Sequence, residues 1–176
     1  RPEFALGMKG SGKTSLFQVI KRILTGKEGH VESMPDKVAD FIALITSQHV
    51  VCMDNVDSYS TWMNDMLAQC STGQNITLRV LHKTNIPIRF HPRVFIGITS
   101  RSPRFRRDDV ADRLLIFKVK RFDNFIPQNE IVDKIYKHRN EIWGDILTHL
   151  NELINYLGEH EGENISSPFR LADFYL

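Results

Sequence analysis

The chain has 176 residues, 41% of them hydrophobic and 25% charged, with a formal net charge of +2. That balance suits a globular unit with a proper core, and the charge is too small for bulk electrostatics to imply nucleic acid, so local clustering would have to carry such a partner. No apolar run approaches the ~18 residues a membrane span needs, no signal peptide is visible, and Cys52 and Cys70 lack metal-ligand spacing, which fits a reducing cytoplasm better than a disulfide framework.

Phe4-Ala5-Leu6 predicts a short buried strand, and Ser15 to Leu24 predicts an amphipathic helix. Between them, Gly7-Met8-Lys9-Gly10-Ser11-Gly12-Lys13-Thr14 completes the G-x-x-x-x-G-K-[ST] pattern of a phosphate-binding loop. The glycines let successive N–H groups curl around phosphates, the lysine supplies a point charge, and the threonine hydroxyl is placed to ligate magnesium. Gly7, Gly10, Ser11, Gly12, Lys13, Thr14 and Ser15 are therefore the expected phosphate contacts, with ATP and magnesium (Mg2+) as the expected ligands.

Thr25 to Gly29 reads as a helix stop, His30 to Met34 as a short edge strand, and Asp36 as the cap of a second helix carrying Val38, Phe41, Ile42 and Ile45 on one face. Val50-Val51-Cys52-Met53 is the continuous apolar run of a parallel strand buried on both faces. Asp54 would stand at its carboxyl end, where it can hold magnesium together with Thr14. The next position is Asn55, an amide without useful basicity. Either Asp57 or a water positioned by Asn55 would then start hydrolysis.

A third helix is expected from about Ser60 to Cys70, with Trp62, Met66 and Leu67 inward. Thr77 to Leu81 and Ile86 to Phe90 alternate on either side of His82-Lys83-Thr84-Asn85, a hairpin pattern. Val94 to Ile98 and Leu114 to Val119 read as two more buried strands. The first ends in Thr99-Ser100, small polar residues that could reach between the phosphate-loop strand and the acidic strand and orient water at the γ-phosphate. Arg113, fixed just ahead of the second, is the best-placed arginine to reach a neighbouring subunit's phosphates. Arg104, Arg106 and Arg107 are less constrained. From about Asn129 to Leu157 a long amphipathic helix is expected to bury its stripe of Ile131, Ile135, Ile142, Ile146, Leu150, Leu153 and Leu157, stopping at Gly158 and Gly162.

Strands alternating with helices predict an α/β three-layer sandwich with a largely parallel sheet, a hairpin insertion and a C-terminal helical segment. The expected division is an ATPase core over residues 1–122 and a helical segment over 123–176. Both ends look cut, so a longer parent protein is expected.

Together these elements resemble the AAA+-type P-loop ATPases of phage and mobile-element replication proteins, related to superfamily 3 helicases and poxvirus-type primase-helicase ATPases. The resemblance runs from Phe4 to about Phe122. It rests on Gly7–Thr14, Val50–Asp57, Thr99 to Pro103, and Asp112-Arg113 before a strand ending in Arg121-Phe122. The closing Pro168 to Phe174 also resembles the tail of such mobile-element proteins. It implies ATP hydrolysis coupled to DNA and assembly into a homo-oligomeric ring; that no membrane is expected as a partner rests on the missing apolar run alone. The family's sensor asparagine falls on Ser100 and its acidic base on Asn55, two departures from the pattern. In superfamily 3 relatives a hairpin before the sensor strand tracks single-stranded DNA, which would give Lys83 and His82 the tip and Arg79 and Arg89 the flanks. A slow nucleotide-dependent switch or loader is the alternative, favoured by Asn55. A small-molecule kinase would leave the hairpin and the arginine loop unexplained.

Overall fold

The computed structural model describes residues 2–26, 29–57, 60–79, 87–101, 108–121 and 123–162. In chain order these form β1 (Pro2–Leu6), α1 (Lys13–Thr25), β2 (Glu32–Ser33), α2 (Val38–Ser47), β3 (Val50–Asp54) and α3 (Thr61–Thr72). There follow β4 (Ile76–Arg79), β5 (Pro87–Phe90), β6 (Phe95–Ser100), α4 (Asp108–Ala111), β7 (Leu115–Lys118) and α5 (Gln128–Glu159).

Five strands pair in parallel in the order β2-β3-β6-β1-β7. The strand β1 ahead of the glycine loop and the acidic strand β3 are thus separated by β6, the place its small polar end suggested. The alternation of side chains along a strand then assigns the two faces. Ala5, Cys52 and Gly97 face α1, where Phe17 packs with Ala5 and Cys52 as one buried cluster. Val51, Met53, Ile96 and Ile98 face the other way, into a larger core with Phe41, Ile45, Met63, Leu67 and Val110 from α2, α3 and α4. Helices on both faces make the three layers of the α/β fold. Gly97 sets the height of α1, because a Cβ there would stand 2.9 Å from the Phe17 ring.

β4 and β5 form a separate antiparallel pair with Ile76 opposite Phe90 and Thr77 opposite Arg89. Ile76 is buried and Leu78 and Phe90 pack on the larger core, so this face is inward and Thr77 and Arg89 are turned to solvent.

Three expectations differ from what is observed. The strand Leu115–Lys118 is not buried: it is the sheet's edge, and Leu115, Ile116 and Phe117 are each more than 40% exposed. Helix α5 passes through Gly158 and buries none of its residues. Its first half rests on α1, where Trp143 Nε1 and Arg139 Nε donate to the Ile23 carbonyl at 2.8 and 3.0 Å. Its second half exposes Ile146, Leu147, Leu150, Leu153 and Ile154. Asp36 does not cap α2: Lys37 holds that position and no side chain caps the helix, whose first turn instead carries Asp40. The hairpin tip with His82 and Lys83, the arginines at 104, 106 and 107, and the tail from Pro168 lie outside the described residues.

Candidate functional site

The loop after β1 enters α1 through Gly12, whose φ of 78° lies in the left-handed region that a residue with a Cβ adopts only with strain. Lys13, the first helical residue, is 7% exposed. Its ammonium is folded onto the loop, donating to the carbonyls of Gly7 at 2.6 Å and Met8 at 2.9 Å and to Ser11 Oγ at 3.4 Å. Ser11 Oγ in turn donates to Met8 O at 2.8 Å. The loop is thus held in shape by its own cation, with the start of α1 aimed across it.

Across the cleft stands the end of β3. The register Met53↔Ile98 carries on to place Asp54 beside Thr99, and both share the face already assigned to Cys52 and Gly97. That is the α1 face, so Thr14 at the helix start can reach them. Thr14 Oγ1 donates to Asp54 Oδ1 at 2.8 Å, and Thr99 Oγ1 donates to the same oxygen. Thr99 Oγ1 also accepts from the Asn55 backbone N–H at 3.1 Å. Asn55 has a left-handed φ of 53°, and its amide nitrogen donates to Asp54 Oδ2 at 3.3 Å. Every one of Asp54's partners here is neutral.

Ser100, one residue on, has the opposite parity and turns to Asp57. Its hydroxyl donates to Asp57 Oδ1 at 2.8 Å. The Arg101 N–H donates to the same oxygen at 2.8 Å, and Arg101 Nε to Asp57 Oδ2 at 2.6 Å. The Arg101 backbone bond, then the hydroxyl, then the guanidinium hold the Asp57 carboxyl down at about 2 against the raising effect of burial. The β1 end joins the same assembly through Gly7 N–H to Ser100 O at 3.4 Å.

A cleft of about 710 Å³ lies between these parts, lined by Lys9, Gly10, Ser11, Gly12, Lys13, Thr14 and Ser15 on one side and Asp54, Asn55, Asp57 and Arg101 on the other. The residues singled out from the loop and from β3, Gly7 apart, are therefore brought together along the cleft, and Ser100 reaches it through its bond to Asp57. Arg113 is not among the lining residues: its Nη1 donates to Ala68 O at 3.3 Å, in α3 of the same chain. Arg89 is exposed on the separate hairpin, opposite Thr77, and Arg79 pairs in register with Pro87.

The sequence pointed to Thr99 as a small polar strand end but not to its bond with Asp54, and it gave Arg101 no individual role. The signal for Thr99 was present in the alternation Gly97-Ile98-Thr99 beside Cys52-Met53-Asp54, which puts the threonine and the acid on one face. Arg101 had no such signal, because its role comes from the turn that carries Asp57 back to the end of β6.

The donor set suits a hard cation. Thr14 Oγ1 and Asp54 Oδ1 are oxygen donors 2.8 Å apart that could hold one, since magnesium bound with a nucleotide takes only one or two protein oxygens, the remainder coming from phosphate and water. No group of three or more His, Cys, Asp or Glu side chains suited to a metal occurs among the described residues. Nor, among them, is any helix long and apolar enough to cross a membrane.

Residues 2–175 match the family model described as actinomycete integrative conjugative element replication protein. Comparison with the curated proteins finds no match. Among solved structures the chain is similar to the JCV helicase bound to a thiazolopyridine-phenoxyphenyl acetamide, with 16% identity and a TM-score of 0.44. That alignment covers 70% of this chain and 36% of the helicase chain, so the chain spans about a third of the helicase's length.

Proposed function

We propose that this chain, which belongs to the actinomycete integrative conjugative element replication proteins, binds ATP with magnesium in the cleft and hydrolyses it in work on DNA. The observation that carries this reading is the 2.8 Å hydrogen bond from Thr14 to Asp54. It joins the phosphate-loop hydroxyl to the strand-end carboxylate, the two oxygens that magnesium needs beside a triphosphate. In that role Lys13 exchanges the Gly7 and Met8 carbonyls for phosphate oxygens. Thr14 and Asp54 take the metal, which would offset phosphate charge. Thr99 keeps Asp54 oriented.

Asp57 acts through others. A carboxylate held at about 2 by three donors is a poor proton acceptor near neutral pH. Its part is to hold Arg101 at the cleft wall with Ser100 buried behind, and Asn55 supplies an amide to position water. Arg113 completing a neighbour's site in a homo-oligomeric ring, and Arg79, His82, Lys83 and Arg89 meeting single-stranded DNA, belong to the same reading.

The test is steady-state ATP hydrolysis with and without single-stranded DNA, with Lys13→Ala as the blank. DNA-stimulated turnover that disappears in the variant supports the proposal. Equal hydrolysis by the variant would remove the phosphate-loop assignment. A second reading, a slow nucleotide-dependent switch, is favoured by Asn55 and by the tied state of Asp57. Tight ATP binding with turnover indifferent to DNA would select it.

A further inference from the structure

The amino ends of β3 and β6 carry a second concavity, of about 430 Å³, at the opposite end of these strands from the cleft. It is lined by the end of α2, by His49 ahead of β3, and by Phe90 to Arg93 between β5 and β6. Its cationic and imidazole groups are His49, His91 and Arg93, all exposed, and no carboxylate is among its lining residues. Ile45 and Pro92 are buried within its wall, and the Thr46 and Ser47 hydroxyls at the rim are turned back onto their own helix, donating to Ile42 O at 2.7 Å and Leu44 O at 3.1 Å, so the donors on offer are the nitrogens.

The geometry is fixed from several sides. His49 O accepts from the Phe95 N–H at 2.8 Å, which ties the two strand starts together. The His91 ring lies against Gly73 at the end of α3, where a Cβ would stand 3.0 Å from its Cε1. Arg89, His91 and Arg93 follow at two-residue spacing directly out of the hairpin, with Arg89 turned outward opposite Thr77. The outward face of the β4–β5 pair therefore leads into a basic pocket along an exposed row of nitrogen donors at Arg89, His91 and Arg93.

We infer that this pocket takes a backbone phosphate of single-stranded DNA, so that the strand's path runs from the hairpin along Arg89 to His91, Arg93 and His49. This rests on the DNA-coupled reading above. A phosphate needs a small number of converging N–H donors with no competing carboxylate, and a basic groove tracking the backbone binds without reading bases. The position also gives the bound strand a mechanical link to the cleft. β3 begins at this pocket and ends in Asp54, and β6 begins beside it and ends in Thr99 and Ser100. Two five- or six-residue strands, about 16–20 Å at ~3.3 Å per residue, separate a bound phosphate from the groups around Asp54.

The experiment is binding of a fluorescent single-stranded oligodeoxynucleotide across a salt series, for the chain, the double variant His91→Gln/Arg93→Gln, and Ser47→Glu. The second variant brings a carboxylate to the rim while leaving every nitrogen donor in place, and far-ultraviolet dichroism checks that each variant is folded. Both are expected to bind about ten-fold more weakly with ATP affinity unchanged. The double variant should also flatten the slope of log affinity against log salt by about 0.7 for every phosphate it no longer neutralises. Wild-type affinity and slope in both folded variants, with the unmodified chain binding DNA, would overturn the pocket alone. Absence of DNA binding by the unmodified chain at low salt would overturn the DNA-coupled reading, and this inference with it.

Discussion

β6 and β7 are both short apolar strands, and both flank β1, yet they meet different fates. Phe95–Ser100 lies between β1 and β3, and five of its six residues are buried. Leu115–Lys118 lies at the margin, and all four of its residues are exposed. α1 and α5 repeat the contrast: one packs Phe17 onto the sheet, while the other leans on α1 and leaves the apolar stripe of its second half open. An apolar pattern measures what a segment can bury. Whether it does so depends on how many partners the topology supplies. The candidate chemistry has collected where partners are most numerous, at the carboxyl ends of the three central strands.

The contrast can be broken most severely at the loop. Lys13→Ala is expected to lower ATP hydrolysis by about 100-fold or more while leaving the fold intact, since an exposed water can replace an ammonium on the Gly7 and Met8 carbonyls but not on phosphate. A turnover assay paired with thermal unfolding checks both halves of that statement. Next in size is the core test. Ile98→Ala removes a fully buried side chain and should cost about 2–5 kcal/mol in denaturant unfolding, whereas Ile116→Ala, already 44% exposed, should cost under about 1 kcal/mol. Equal losses would mean that β7 is covered as fully as β6, and the contrast would fail.

A smaller effect comes from Asp57. Its folded value of about 2 lies below the ordinary 3.8, so its contribution to stability is complete above about 4 and disappears as pH falls through 2. Unfolding followed between pH 5 and about 2 should show a loss on the order of 1 kcal/mol after solvent screening is allowed for, and Asp57→Asn should remove that part of the slope. The smallest expected change is at α5: Leu150→Gln, on a side chain 48% exposed, should move stability by less than about 0.5 kcal/mol. A loss above about 2 kcal/mol there would show that the stripe is covered in solution.

Much of this was legible in the residues themselves. The strand–loop–helix junction at Gly7–Thr14 is legible because its backbone needs glycine where φ is positive, at Gly10 and Gly12, and Val50–Asp54 reads as a buried strand with an acid at its end because few other patterns look alike. That β6 could lie between β1 and β3 was suggested by Thr99-Ser100, whose small polar groups suit a position between loop and acid; the rest of the strand order comes from the structure. β7 and the second half of α5 misled for one physical reason: hydrophobic runs report propensity for burial, and neither strand order at the margin nor helix length beyond its support is written in them. The Asp57–Ser100–Arg101 assembly was hidden because it depends on a return of the chain over 43 residues, with no local spacing to mark it.

The backbone at Asn55 carries one more consequence. Asparagine accepts its left-handed φ of 53° more readily than most residues do, because its short amide is at home there. A glutamate introduced at this position would be uphill twice. It would strain the main chain by roughly 1 kcal/mol, and it would set a second negative charge next to Asp54 in place of the amide that now donates to it. A variant seeking a stronger base here must therefore reshape the turn after β3 before the new side chain can help, which makes the amide at 55 self-perpetuating along any one-step mutational route.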